Sequence, residues 1–282
     1  MSKGKSFRLF RNINFIIGFL MTFIILLTAL LSLGYTPYDP NRMNLSKRFQ
    51  APNPTHWLGT DQYGRDILSR VMKGAINSII VGMVAVSIGM SFGILLGSLA
   101  AFYKKWVDES IMRISDVLYG FPAVLSAILI TSILGPGAVN SMMAIGIFNI
   151  PIFARLTRAT SLSIWERDYV TSAKAIGRSD AGIIWRHVLP NILSSLIVQG
   201  TVQFAIAILA EAGLSYLGLG TQPPHASWGR MLQEAQTFMG TSAWLAIFPG
   251  CAIALAVLGF NLLGDGLRDM LDPKLSRIQR WG

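Results

Sequence analysis

Six apolar segments, each long enough to cross a membrane, divide this chain of 282 residues. They fall at 14–33, 78–102, 111–134, 139–156, 192–212 and 244–264. A helix rises 1.5 Å per residue, so about 20 apolar residues match the hydrocarbon core of a bilayer. Backbone polar groups have no water partners there, and a continuous apolar run satisfies them only as a helix. The segments therefore predict an all-α integral membrane protein with six transmembrane helices. Only 13% of the residues are charged, against about 25% in soluble domains.

The net charge of +10 invites a nucleic-acid reading. The distribution argues against it, because the charges sit in short clusters between the spans. Placing the N-terminus inside puts seventeen of the 24 Lys and Arg on one face: Lys3, Lys5, Arg8 and Arg11, then Lys104, Lys105 and Arg113, then six between 155 and 186, then Arg268, Lys274, Arg277 and Arg280. The other face keeps Arg42, Lys47, Arg48, Arg65, Arg70, Lys73 and Arg230. Basic residues collect on the cytoplasmic side, so both termini are expected in the cytoplasm of a multi-pass cell-membrane protein. The outer loops are then 34–77, which holds six of the opposing charges, and 213–243. The first span exceeds the 7–15 residues of a signal core and shows no small-residue cleavage site, so it reads as an uncleaved anchor. The domain reading is a tail, anchor helix and first outer loop over 1–76, followed by a transport core over 77–282.

Within the spans, Gly89, Gly93 and Gly97 recur every four residues. Such stripes let helix backbones approach closely in lipid, either within one subunit or at an interface or pathway. Pro122 and Pro151 lie inside spans and favour kinks. Charges in spans are few. Asp116 is expected to pair with Arg113 three residues before it, near the inner surface. Glu211 either pairs with a neighbouring helix or faces an outer vestibule. Cys251 lies in an apolar run and reads as a small buried residue. His56 and His225 read as isolated surface residues, and no metal-ligand spacing occurs. Trp57, Tyr63, Trp228 and Phe238 in the outer segments suit interface anchors or contacts with a partner, and Trp228 is a further vestibule candidate.

The segment 168–191, DYVTSAKAIGRSDAGIIWRHVLPN, is polar, basic and of helical character, yet it sits between two spans. Small residues at Ser172 and Ala173, a Gly turn at Gly177 and a Leu189-Pro190 stop shape it for docking onto another protein. That points to a driving force supplied by a soluble partner. Gly4-Lys5-Ser6 mimics the end of a phosphate-binding loop, but no glycine precedes it at the required spacing. ATP, if used, binds another chain.

At this point the chain resembles a permease subunit of binding-protein-dependent ABC importers, specifically the second permease of the dipeptide/oligopeptide/nickel family. Four collinear blocks carry the resemblance. They are His56-Trp57-Leu58-Gly59-Thr60-Asp61 through Gly64-Arg65-Asp66 and Ser69-Arg70; Arg155-Leu156-Thr157-Arg158 with Asp168-Tyr169-Val170 and Gly177 to Pro190-Asn191; Leu217-Gly218-Leu219-Gly220 with Gln222-Pro223-Pro224 and Ser227-Trp228-Gly229; and Phe260-Asn261 through Arg268-Asp269 to Leu271-Asp272-Pro273. The family's coupling motif reads Glu-Ala-Ala, three residues, Gly, nine residues, Ile-x-Leu-Pro. This chain has Thr171-Ser172-Ala173 and His187-Val188-Leu189-Pro190, keeping Ala173, Gly177, Leu189 and Pro190. The missing Glu removes the basis for any particular salt bridge there.

The resemblance implies a type I ABC importer permease fold, an anchor helix plus a five-helix core, with a cytoplasmic coupling loop over about 157–191. It implies that Thr171, Ser172, Ala173, Gly177, Arg178, Asp180, His187, Leu189 and Pro190 form the ATPase-coupling surface. It also implies a heterodimer with a second permease, two ATPase subunits that hold ATP and Mg, an external solute-binding protein, surrounding membrane lipid, and no cofactor, metal or nucleic acid on this chain. Di- or oligopeptides are the implied cargo, with nickel or a metal chelate as the alternative on the same scaffold. A stand-alone secondary transporter is the alternative from another class, disfavoured by the coupling segment. A membrane enzyme lacks any converging set of catalytic residues.

Overall fold

The computed structural model describes residues 12–271. The basic tail at Lys3, Lys5, Arg8 and Arg11, the Gly4-Lys5-Ser6 sequence, Asp272-Pro273 and the charges at Lys274, Arg277 and Arg280 lie outside that range. Among the described residues the fold is helical, with one isolated bridge between Thr60 and Asp66. In chain order the helices are α1 (Ile13–Gly34), α2 (Ile67–Tyr103), α3 (Lys105–Gly120), α4 (Ala123–Leu134), α5 (Ala138–Trp165), α6 (Asp168–Ala175), α7 (Asp180–Ile183), α8 (Leu189–Tyr216), α9 (Trp228–Ala235) and α10 (Trp244–Leu271). Asn12 caps α1 by accepting from the N–H groups of Asn14 and Phe15, and Asp66 caps α2 through Ser69 N–H. A side-chain oxygen in that position satisfies a backbone donor that the helix cannot.

The parallel pair α2 and α5 forms the centre. A methyl group at Gly89, Gly93 or Gly97 would overlap Asn149, Phe153 or Thr157 respectively. The stripe is therefore a backbone contact inside the subunit, with each glycine meeting α5 sixty positions later. α8 runs antiparallel beside α2, where Gly82 touches Phe204 and Ile208. α10 packs on α8 through the Phe204–Phe260 ring pair at 4.3 Å. α1 covers α10, with Gly18, Gly259 and Gly266 at the close approaches and Asn12 Nδ2 donating to Asp269 Oδ2 at 3.0 Å.

Loops 35–66 and 217–243 gather at one end of the bundle, the loop end. Residues 166–188 lie at the other, labelled the coupling end after the role that the resemblance implies for them. α2 has 37 residues, about 55 Å at 1.5 Å per residue, against a hydrocarbon core of about 30 Å. Its second turn is tied to the last turn of α1 by Lys73 Nζ donating to Ser32 O at 2.9 Å. The helix also runs unbroken through residue 76, where the sequence reading divides N-terminal unit from core.

Four expectations need correction. The segment 111–134 is not one continuous helix: α3 and α4 meet at Phe121-Pro122 with an 87° bend, because Pro122 cannot continue a helix from α3. Asp116 pairs not with Arg113 but with Arg155 of α5 at 2.6 Å, while Arg113 pairs with Glu109. His56 is buried, with Nδ1 2.9 Å from Asp66 Oδ1; His225 is exposed as expected. Cys251 lies on the exposed surface of α10, since the apolar run continues right around that helix and leaves one side to face outward. Pro151 and Pro249 sit inside α5 and α10 without ending them.

Candidate functional site: the coupling segment and the loop end

α5 continues to Trp165, so Arg155 to Arg158 belong to the helix and the segment that follows it, within the expected coupling loop of about 157–191, starts at residue 166. α6 follows after a short turn. Its C-terminus is closed by Gly177 N–H donating to Lys174 O at 2.9 Å and Arg178 N–H donating to Ala173 O at 3.2 Å. This is a Schellman motif, which needs a left-handed residue after the helix; Gly177 has φ +77°. Ser179 then starts α7, its carbonyl accepting from Ile183 N–H at 3.0 Å. A π-helical turn, Ile184–Val188, leads into α8 with Pro190 in its first turn. Proline has no N–H to donate, and Asn191 Nδ2 donates to His187 O at 2.6 Å beside it.

The segment is welded to the bundle. Val170, Ala173, Ile183 and Val188 are buried with Ile164 and Trp165 of α5 and Ile192 and Leu196 of α8. Lys174 Nζ lies 4.4 Å from the centre of the Trp165 ring. Ala173, read as a small docking residue, therefore points into its own subunit. Thr171, Ser172, Gly177, Arg178, Asp180 and Pro190 are exposed, and His187 and Leu189 are half-buried. Arg178 Nη1 stands 3.5 Å from His187 Nε2, whose ring lies 5.9 Å from that of Tyr169. Two residues outside the predicted set dominate the free surface: Ile176 is 84% exposed and Trp185 72%. The signal for them in the sequence is an Ile and a Trp standing in an otherwise polar segment.

At the loop end, Glu211 is fully buried, accepting from Ser215 Oγ at 2.6 Å and from Ser78 Oγ and Thr221 Oγ1 at 3.3 Å each. Trp228 is buried as well, donating from Nε1 to Val71 O at 3.0 Å. Neither faces a vestibule in this subunit; they join loop 217–227 and α9 to α2 and α8. Arg65, Arg70 and Arg230 converge on Glu234, with Asp61 completing the cluster. Trp57 is 70% exposed. A groove of about 300 Å³ opens here between Asn77, Ile80, Val81, Ala138, Met142 and the 221–225 turn.

A bundle of long apolar helices, two of them joined at one end by a short helical segment packed against both, is the architecture of a multi-pass membrane permease. Residues 93–277 match the family described as "Binding-protein-dependent transport system inner membrane component", and the chain belongs to that family. It is 44% identical over 260 residues to a dipeptide transport system permease protein (DppC) of Alkalihalophilus pseudofirmus, covering 92% of this chain and 86% of that one. It is 47% identical over 240 residues to a glutathione transport system permease protein (GsiD) of Pectobacterium atrosepticum, covering 85% and 80%. Among solved structures, a chain of the inward-facing MetNI methionine ABC transporter superposes with a TM-score of 0.59 at 15% identity, covering 72% of this chain and 96% of that one. A chain of an amino acid ABC transporter gives 0.53 at 17%, covering 76% and 94%. These two establish the ABC importer permease fold.

Proposed function

We propose that this subunit pairs with a second, homologous permease to form the pathway of an ATP-driven importer for di- or oligopeptides. The observation that carries the coupling role is the buried cluster joining α6 and α7 to α5 and α8. A push on the exposed Ile176–Trp185 surface moves two spans together, because close-packed contacts transmit displacement. The peptide assignment rests on relatives named for dipeptide and glutathione transport.

In this reading the coupling end and both termini face the cytoplasm. Two ATPase subunits hold ATP and Mg there, one against this coupling segment through Thr171, Ser172, Ile176, Arg178, Asp180 and Trp185. A solute-binding protein docks on the loop end. Residues 1–76 then serve as anchor and outer platform and 77–282 as the transport core. Each partner biases a membrane domain with two arrangements. The test is purification from mild detergent with identification of co-purifying chains, followed by ATPase assay in vesicles. Recovery of a second permease and ATPases, with turnover stimulated by a peptide-loaded binding protein, is expected. Peptide flux through vesicles holding this chain alone would overturn the reading.

A further inference from the structure

We propose that α3 is not part of a transmembrane span but lies flat in the membrane interface at the coupling end, with an apolar stripe in the acyl chains and a basic edge toward anionic headgroups. The proposal does not depend on the transported solute.

Sharp turns bracket α3. At its start Lys104 and Lys105 adopt φ +51° and +44°, a left-handed conformation uncommon outside glycine. At its end the chain breaks by 87° into α4. α4 doubles back along α5, burying Ala127 against Ala144 and Ile145, so α3 crosses α5 instead of running beside it. The ion pairs agree. Asp108 and Asp116 of α3 meet Arg158 and Arg155 of α5. Eight residues of α3, about 12 Å, thus face three residues of α5, about 4.5 Å. Both arginines lie toward the end of α5 that leads into the coupling segment.

The faces of α3 are sorted for such a position. Ser115 is buried, and Arg155 lies 4.5 Å from the centre of the Tyr119 ring, about 40° from Ser115 around the helix. Trp106, Ile114 and Val117 are 80%, 64% and 63% exposed, and at 100° per residue they share an arc of about 80°. Phe121 continues the stripe at 61% exposed. Lys105, Asp108, Glu109, Arg113 and Asp116 occur within 16 residues, a density that a helix upright in hydrocarbon does not tolerate. Lys104 and Lys105 make no ion pair among the described residues. A narrow apolar stripe with a charged flank and a Trp is the composition of an interfacial helix. The return toward the loop end then falls to α4, whose 12 residues reach about 18 Å, short of the roughly 30 Å hydrocarbon core.

The test uses the full permease pair with its ATPases, reconstituted in vesicles of phosphatidylcholine and phosphatidylglycerol. In a Cys251→Ser background, nitroxide labels are placed at Ser110→Cys, Ile114→Cys and Val117→Cys. Depth is read from collision with oxygen and with a water-soluble nickel chelate. A flat helix puts all three at one depth, within about 3 Å, and about 5–10 Å below the headgroups. A steady change of about 10 Å from 110 to 117, the rise of an upright helix, would overturn the proposal. So would low collision with both probes at all three, which would mean the second permease covers the stripe. If labels impair assembly, Trp106→Phe supplies the second measurement. It should remove a fluorescence component quenched more by lipids brominated near the headgroup than near the chain end; no such loss counts against the proposal.

Discussion

Arg65 Nη2 donates to Glu234 Oε2 at 2.6 Å across 169 positions of sequence, and Arg70 Nη2 reaches the same oxygen at 3.3 Å. This pairing accounts for two of the six positive charges that made loop 34–77 an exception to the orientation rule. Arg65 and Arg70 are buried and counter-charged by Asp61 and Glu234, so they are structural cations tying the loop to α9. Removing one partner of a buried ion pair costs about 3–5 kcal/mol, because the other is left uncompensated. Glu234→Ala should therefore lower the melting temperature of the detergent-purified subunit sharply. Adding Arg65→Met to that variant should recover part of the loss. Equal melting temperatures for wild type and Glu234→Ala would contradict the assignment.

The glycine stripe makes a prediction with an internal control. A methyl group at Gly93 overlaps Phe153 and the backbone of Ala154, whereas at Gly200 it meets nothing within 4 Å. Overpacking of this kind costs about 1–3 kcal/mol. Gly93→Ala should reduce the amount of folded subunit recovered in mild detergent, and Gly200→Ala should not. Equal recovery of the two variants would show that α2 and α5 do not pack this closely.

In residues 166–188 the proposed coupling role can be separated from folding. Ala173 is buried beside Trp165, Val170 and Ile183, so Ala173→Arg should cost protein level before it costs coupling. Ile176 is exposed, so Ile176→Glu should leave the protein in the membrane at normal level. It should instead lower binding-protein-stimulated ATPase activity of the assembled transporter by tenfold or more. Immunoblots of membranes, read beside ATPase rates, distinguish the two; normal stimulation in Ile176→Glu removes this surface from the coupling role.

Gly177 probes backbone conformation alone. Its φ is +77° and no atom would touch an added Cβ. A left-handed L residue costs about 1–2 kcal/mol, less for Asn. Gly177→Val should impair peptide uptake at normal protein level, and Gly177→Asn should retain most of it. Equal uptake by the Val and Asn variants would mean that the turn tolerates another conformation.

Much of this was legible because apolar runs and caps act locally. The spans, the helix–glycine–helix form of residues 168–183 and the close approach at Gly89, Gly93 and Gly97 follow from composition and spacing. What was not legible depends on distant partners. Pro122 announces a break, but the 87° bend is set with α3 held by Arg155 and Arg158, far along the chain. Asp116 has Arg113 at a plausible helical spacing, and only tertiary packing offers it Arg155 instead. His56 reads as a surface residue until Asp66 folds over it. Ala173 is small enough for either face, and the side it takes is decided by Trp165 and Ile183.

Glu211 supplies the last prediction. Its carboxylate is buried, and the hydrogen bonds it accepts come from the hydroxyls of Ser78, Ser215 and Thr221, on α2, α8 and the 217–227 loop. Ser215 Oγ also accepts from Thr221 N–H at 2.9 Å and from Ser227 Oγ at 3.3 Å, so one side chain organises the whole turn beside the groove. Truncation to Ala leaves buried hydroxyls without partners, at about 1–3 kcal/mol for an unsatisfied group. Gln keeps the shape and one acceptor, and its NH₂ can donate to hydroxyls that rotate to receive it. Glu211→Ala should therefore speed amide hydrogen exchange across 217–227, while Glu211→Gln should hold it near the wild-type rate. Exchange accelerated equally in both would assign the clasp to the charge and not to the hydrogen-bonding shape. Exchange unchanged in both would mean that Trp228, fixed to Val71 O, holds the turn without it.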